Sequence, residues 1–142
     1  MEVQWPESFQ RMLDRYKGAA GQGKERDAEV YSFIIAALGE LSSLDGEPTE
    51  ESATFKIVRQ CKAHTVWRVS HPYVKGLAVR VIAWFPPEHK DTVVVALFSG
   101  DKSNIGDIFY NSVEDRAKVA IQAWYREQEE KNDGTNELPS RK

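Results

Sequence analysis

The segment 65–110 reads TVWRVSHPYVKGLAVRVIAWFPPEHKDTVVVALFSGDKSNIGDIFY, and it decides the fold. Three runs rich in β-branched and aromatic residues, which favour strands, cover 65–71, 77–85 and 92–99. Prolines and glycines separate the runs, and connections this short favour antiparallel pairing. The near-continuous apolar run 92–99 indicates a strand that is central or otherwise covered on both faces. We therefore predict a meander of three antiparallel strands.

Helical patterns lie on both sides of this meander. Apolar residues at helical spacing predict a helix over 6–16 and a longer one over 25–44, separated by the glycine-rich segment 18–23. Segment 54–59 alternates imperfectly, which leaves it open between an edge strand and a basic arm. Ser112, with an acid three residues later, is a capping-box signal for a last helix. The expected fold class is α+β, with N-terminal helices packed on an antiparallel β-sheet meander, followed by a C-terminal helix.

The chain has 142 residues, which suits one domain with a substantial core. We predict that this domain covers 1–125 and that 126–142 form a polar, partly disordered C-terminal tail. No apolar run is long enough to cross a membrane, so no membrane partner is expected. Cys61 is the one cysteine, and a chain without an internal disulfide fits a cytoplasmic location.

Positive charge is concentrated in the middle of the chain, although the net charge is −3. Residues 56–90 contain seven lysines and arginines and one acidic residue, whereas acidic residues are in excess on both sides. Such asymmetry indicates an anionic partner for one surface. The alternative is that these cations solvate a sheet edge and neutralise nearby acidic helices.

Several kinds of chemistry have no motif in this sequence. The single cysteine and the spacing of the three histidines do not match a metal site, so neither metal nor cofactor is expected. No phosphate-binding loop of the Gly-x-x-x-x-Gly-Lys-Ser/Thr type and no Gly-x-Ser-x-Gly elbow is present. A basic surface on a sheet is what remains.

The arginines of the first two predicted strands lie on one side of the sheet if Ser70 pairs with Ala78. Arg68 would then face Arg80 directly, and like charges in that position destabilise a sheet unless an anion lies between them. Lys102, after the third strand, and Tyr110, beyond the glycine-containing loop, are expected at the same rim. The other candidate RNA-binding residues are basic side chains of the middle segment: Lys56, Arg59, Lys62, His64 and Lys75.

The order of these elements resembles the RelE/ParE superfamily of toxins from bacterial toxin–antitoxin modules. The resemblance spans Asp27 to Trp124 and rests on the segments 67–69, 78–82, 93–99, 100–102 and 108–112. Members similar to RelE and HigB cleave messenger RNA in the ribosomal A site without a metal, and members similar to ParE inhibit DNA gyrase. The resemblance implies that Arg68 and Arg80 hold the scissile phosphate. It further implies that Lys102 assists proton transfer or stabilises charge and that Tyr110 positions the nucleotide.

Two functions follow from this resemblance as expectations. The first is a toxin that acts as a ribosome-dependent, metal-independent mRNA endoribonuclease, with a cognate antitoxin protein and mRNA on the ribosome as partners. The second is a non-catalytic interaction protein of the same fold, either a gyrase inhibitor or an inactive phage-borne relative. A third possibility is an unrelated α+β domain in which the cations bind no ligand.

Overall fold

The computed structural model describes residues 1–70, 77–101 and 107–137. Within these segments the strands are β1 (Glu2–Gln4), β2 (Phe55–Ile57), β3 (Val66–Val69), β4 (Val79–Trp84) and β5 (Val93–Asp101). The helices are α1 (Glu7–Gly21), α2 (Glu25–Ser42), α3 (Asp107–Asn111) and α4 (Val113–Glu137), and a 3-10 turn covers Pro87–His89.

The five strands form one sheet in the order β1-β5-β4-β3-β2. From β5 to β2 all neighbours are antiparallel, which confirms the predicted meander and resolves segment 54–59 as an edge strand. β1 pairs with β5 in parallel, so the sheet is mixed and the prediction of a purely antiparallel sheet is wrong. β1 has three residues, too few to show an alternating pattern in the sequence. The fold class is α+β.

Both faces of the sheet are covered by helices. On one face, α1 and α2 pack Phe9, Phe33 and Ile34 against the inward side chains of the strands. On the other face, α3 and α4 pack a second core that contains Phe109 and Trp124. β5 therefore lies inside the sheet and is covered on both sides, as its apolar run predicts. Among the described residues, no helix combines the length and apolarity needed to cross a membrane.

The first two helices lie close to their predicted positions. α1 follows Pro6 directly but continues through Gly18 and ends at Gly21, so the glycine-rich break is shorter than the sequence suggests. The reversal is made at Gly23, whose φ of 82° is readily available to glycine. α2 begins at Glu25 as predicted. The two helices form an antiparallel pair over the sheet.

The last helix extends past the predicted end of the domain. α4 continues beyond Arg126 to Glu137. Residues 127–131 are Glu, Gln and Lys, which have good helix propensity, whereas 132–136 are Asn, Asp, Gly and Thr, whose low propensity predicts an earlier end. The residues 138–142 lie outside the described part. Ser112 precedes α4, but its hydroxyl donates to the carbonyl of Phe109 at 2.7 Å and so ties α4 to α3.

Candidate nucleic-acid interface

Three cations lie on one face of the sheet, near the end of β3 and the start of β4. Lys56 of β2 pairs with Arg68 of β3, and Arg68 pairs with Ile82 of β4. Because side chains alternate between the faces of a strand, Arg80 lies on the same face as Ile82. This is the face on which α3 and α4 pack. We call Lys56, Arg68 and Arg80 the cation row.

The two arginines share a face, as predicted, but they are not directly opposite each other. Val69 pairs with Val81, so the register differs by two residues from the one that places Arg68 against Arg80. A register shift by an even number of residues keeps every side chain on its own face of the sheet. Arg68 and Arg80 therefore still lie on the same face.

Lys56 occupies the position opposite Arg68 that the sequence assigns to Arg80. Side chains in this position have Cβ atoms about 5 Å apart, and like charges there destabilise the sheet. Lys56 is exposed and Arg68 is half-buried, so only the arginine is strongly constrained. Neither side chain forms a salt bridge with a carboxylate whose position the structure describes. A phosphate between them would turn this repulsion into attraction.

We expect the variant Lys56→Glu to be more stable than the wild type by about 0.3 to 1 kcal/mol, because the repulsive pair becomes attractive. The same change should weaken binding of a short single-stranded RNA and lower the slope of log affinity against log salt by about 0.7. Urea unfolding and RNA titrations at several salt concentrations measure the two effects. Lys17→Glu makes the same charge change on α1, away from the cation row, and is the control: it should bind the RNA as the wild type does. A less stable Lys56→Glu protein would contradict the proposed repulsion.

Tyr110 holds the guanidinium of Arg68 in place. Nη1 of Arg68 donates to the Tyr110 hydroxyl at 2.8 Å, and Cζ of Arg68 lies 5.4 Å from the centre of the Tyr110 ring. Tyr110 is 5% exposed, and its ring also packs against Phe109. A ring this buried is unsuited to stacking on a base, so the structure favours a role in orienting Arg68 over direct contact with a nucleotide.

Arg80 is half-buried and has an incompletely satisfied guanidinium. Its Nη1 donates to the carbonyl of Val79 at 2.9 Å, whereas its buried Nε–H has no hydrogen-bond partner among the described residues. An unsatisfied buried donor costs about 1–3 kcal/mol. The Arg80 side chain therefore keeps this position although its buried Nε–H is unsatisfied.

Gly100 allows α3 to approach the sheet beside Arg80. It pairs with Arg80 across β4 and β5. A Cβ atom at Gly100 would lie 2.2 Å from Cε1 of Phe109, which is fully buried. Because Tyr110 follows Phe109 in α3, the same close approach places the Tyr110 hydroxyl over Arg68.

The remaining predicted residues are not part of the cation row. Nη2 of Arg59 lies 3.1 Å from Oε2 of Glu51, so Arg59 already has an acidic partner within the chain. His64 packs edge-on against Trp84, toward the opposite end of β3, and Lys62 lies in the same loop. Lys75 and Lys102, as well as His71, lie outside the described residues. The proposed catalytic role of Lys102 therefore stays a prediction from the resemblance.

Glu114 fixes the loop that precedes β3. Its Oε1 accepts hydrogen bonds from the backbone N–H of Lys62 at 2.8 Å and of Ala63 at 2.9 Å. These two hydrogen bonds, the first from Lys62, lower the pKa of the Glu114 carboxyl below its usual value. Cys61, next to this loop, is buried, and burial raises the pKa of its thiol, which fits a structural residue better than a nucleophile.

We expect the variant Glu114→Gln to be less stable than the wild type near neutral pH, with a difference that shrinks in acid. A carboxyl whose pKa is lowered on folding stabilises the fold above its unfolded pKa, and this contribution is lost as the pH falls through the folded pKa. Urea midpoints of both proteins at about pH 7 and about pH 3 test this. A difference of the same size at both pH values would show that the ionised carboxylate contributes nothing.

Sequence reasoning missed Arg116. Its guanidinium carbon lies 4.1 Å above the ring centre of Phe98 and 5.8 Å from that of Phe109. Burial among these apolar atoms lowers the pKa of Arg116. The spacing in the sequence carries a signal, because Arg116 lies three residues after Val113 and four before Ala120, which places an exposed cation at the margin of the apolar face of α4.

Among the described residues, no three His, Cys, Asp or Glu side chains are grouped so that they would hold a metal ion. No protein-family model matches the chain, and comparisons with curated proteins and with solved structures found no match.

Proposed function

We propose that the protein is the toxin of a toxin–antitoxin pair and that it cuts messenger RNA on the ribosome without a metal. The observation that carries the proposal is the cation row, in which Lys56 and Arg68 oppose each other and Arg80 lies on the adjacent strand of the same face. A row of cations across three strands suits a polyanion backbone better than a single small anion. The order of two helices, an antiparallel meander and a last helix is compatible with a RelE-like fold.

The residue types fit RNA cleavage by internal attack. A ribose 2′-OH loses its proton and attacks the neighbouring phosphate, and negative charge grows on the phosphoryl oxygens until the 5′ oxygen leaves. Arginine binds phosphate through two parallel hydrogen bonds and stabilises that charge. Arg68 and Arg80 take this role, and Tyr110 keeps Arg68 oriented through its 2.8 Å contact. Lys102 is the candidate for proton transfer.

The test is cleavage of a defined messenger RNA on stalled translating ribosomes, mapped by primer extension. We expect cuts at the A-site codon with the wild type, and a loss of about a hundredfold in rate for Arg68→Ala. Lys118→Ala, an exposed cation on α4, is the matched control and should cut like the wild type. Absence of any ribosome-dependent cutting by the wild type would refute the nuclease proposal. Full activity of Arg68→Ala would instead remove Arg68 from the proposed site.

A second function, non-catalytic binding, is favoured by the burial of Tyr110. Its hydroxyl is engaged by Nη1 of Arg68 and its ring is 5% exposed, so Tyr110 itself is poorly placed to contact a nucleotide. A gyrase inhibitor or an inactive relative needs the basic surface without the reaction. If the protein inhibits DNA supercoiling by purified gyrase and does not cut RNA, it is a gyrase inhibitor.

A cognate antitoxin and a cytoplasmic location belong to the same proposal. Growth arrest on expression, relieved by co-expression of a small neighbouring gene, is the expected sign of a toxin of either kind. If the variant Arg68→Ala no longer arrests growth, the cation row is the surface responsible for the arrest.

A further inference from the structure

β2 is the outermost strand at one edge of the sheet, and no described strand pairs with its free side. On the other side, Thr54 and Val58 are hydrogen-bonded across to β3 or to the residue that follows it, at 2.9 Å and 3.0 Å. Main-chain groups alternate in direction along an antiparallel strand. The N–H and C=O groups of Phe55 and Ile57 therefore point away from the sheet. An edge with such outward groups recruits other strands unless it is covered.

Two residues that precede β2 cover this edge, and we call Glu51 and Ser52 the edge cover. The Phe55 N–H donates to the Ser52 hydroxyl at 3.1 Å, and the Ser52 N–H donates to the Phe55 carbonyl at 2.9 Å. The Ile57 N–H donates to Oε1 of Glu51 at 2.9 Å. Three of the four outward main-chain groups of Phe55 and Ile57 thus already have partners.

The Glu51 carboxylate ends the ladder of main-chain hydrogen bonds. A further strand would satisfy the Ile57 N–H, but it would present a new row of unpaired groups on its own outer side. A carboxylate accepts hydrogen bonds and donates none, so it creates no such row. Nη2 of Arg59 lies 3.1 Å from Oε2 and 3.3 Å from Oε1 of the same carboxylate, which keeps Glu51 against the edge.

Without its cover, this edge would match the same edge of a second copy of this chain. The antiparallel register that uses every outward group pairs Phe55 of each copy with Ile57 of the other. Lys56, which is exposed, then lies opposite Lys56 of the second copy, where like charges destabilise a sheet. Lys56 therefore opposes the same contact that the edge cover blocks.

We propose that the edge cover keeps two copies of this chain from joining their sheets through β2. Its two residues occupy the main-chain groups that such a contact needs, and the charge of Lys56 penalises the register that would use them. The inference does not rest on the nuclease proposal, because it concerns the main chain of β2 and its free side. A protein that cuts no RNA still tests it.

Hydrogen exchange at single amides, measured by NMR on dilute protein, tests the edge cover directly. We expect Glu51→Ala to speed exchange at the Ile57 amide by about tenfold, because one hydrogen bond is lost. Ser52→Ala should do the same at the Phe55 amide. The Val58 amide, which is hydrogen-bonded to β3, should keep its exchange rate in both variants.

Sedimentation over a range of protein concentrations tests the consequence for association. The double variant Glu51→Ala/Ser52→Ala should dimerise with an association constant at least about tenfold above that of the wild type. Adding Lys56→Glu to the double variant reverses the charge at the centre of the contact. An equal mixture of these two proteins should therefore associate more strongly than either protein alone. Glu50→Ala, which removes the neighbouring exposed acid, is the matched control and should sediment like the wild type.

Urea midpoints establish that each variant is folded, and the single variants replace the double variant in the sedimentation test if the double variant does not fold. Unchanged exchange at Phe55 and Ile57 would show that the edge cover does not hold these amides. A variant that sediments like the wild type at every concentration, or a mixture that gains nothing over its components, would show that the cover blocks no contact between copies. Each of these results overturns the proposal.

Discussion

Gly100→Ala is expected to destabilise the protein by about 1–3 kcal/mol, because the new methyl group overlaps a side chain that has no room to move. The added Cβ would lie 2.2 Å from Cε1 and 2.7 Å from Cδ1 of Phe109. Phe109 is fully buried and packs against both Phe98 and Tyr110, so its ring cannot swing into solvent. Relief requires α3 to move away from β5, which would also withdraw Tyr110 from Arg68. Urea unfolding measures the loss of stability.

Gly39→Ala is the matched control for this substitution. A Cβ atom at Gly39 meets nothing within 4 Å, and the residue lies inside α2. Alanine is a better helix former than glycine, so this variant should gain up to about 1 kcal/mol. Opposite signs for the two substitutions would establish the close approach at Gly100. A neutral Gly100→Ala variant would mean that α3 is not held tightly against the sheet.

If the proposed nuclease function holds, Arg80→Met should lower the rate of RNA cutting by about a hundredfold or more. The fold should stay as stable as the wild type or become more stable. The thioether chain fills most of the space of the arginine stem and removes the buried Nε–H that has no partner among the described residues, a group that costs about 1–3 kcal/mol. Removing one positive group that stabilises a phosphoryl transition state lowers rates by about a hundredfold to a thousandfold. Rates on stalled ribosomes and urea midpoints are the two measurements.

Arg80→Lys separates charge from geometry in this position. Lysine keeps the positive charge but lacks the planar, two-point contact with phosphate, so an intermediate rate is expected. Loss of activity together with a large loss of stability in Arg80→Met would indicate a structural role for Arg80. Cutting by Arg80→Met within about tenfold of the wild type would remove Arg80 from the proposed site.

The sequence predicts the arrangement of the sheet better than the contacts above it. The apolar run of β5 predicts an inner strand, and β5 does lie between β1 and β4. The shared face of Arg68 and Arg80 was predictable because side-chain direction depends on alternation and tolerates an even shift in register. β1 was missed, since three residues carry no periodicity and its parallel partner is far away in the sequence.

The contacts that shape the candidate site depend on tertiary packing. Nothing in the sequence near Tyr110 indicates that α3 would form, because glycine and polar residues before it suggest a loop at the end of a sheet. The burial of Tyr110 follows from the fit of Phe109 over Gly100, which joins two elements. The opposition of Lys56 and Arg68 likewise required the pairing of β2, whose sequence pattern left its structure open.

The parallel pairing at the edge of the sheet has a consequence for biosynthesis. Glu2 pairs with Val93, so β1 must wait for a strand that is translated ninety-one positions later. Contacts of such high sequence separation form slowly because a long loop must close first. During that interval the nascent helices α1 and α2 have no sheet to cover, and a chaperone or a co-translated partner has its best opportunity to engage the chain. A nascent-chain series stalled before and after Val95 emerges should therefore pass abruptly from protease-sensitive to protease-resistant.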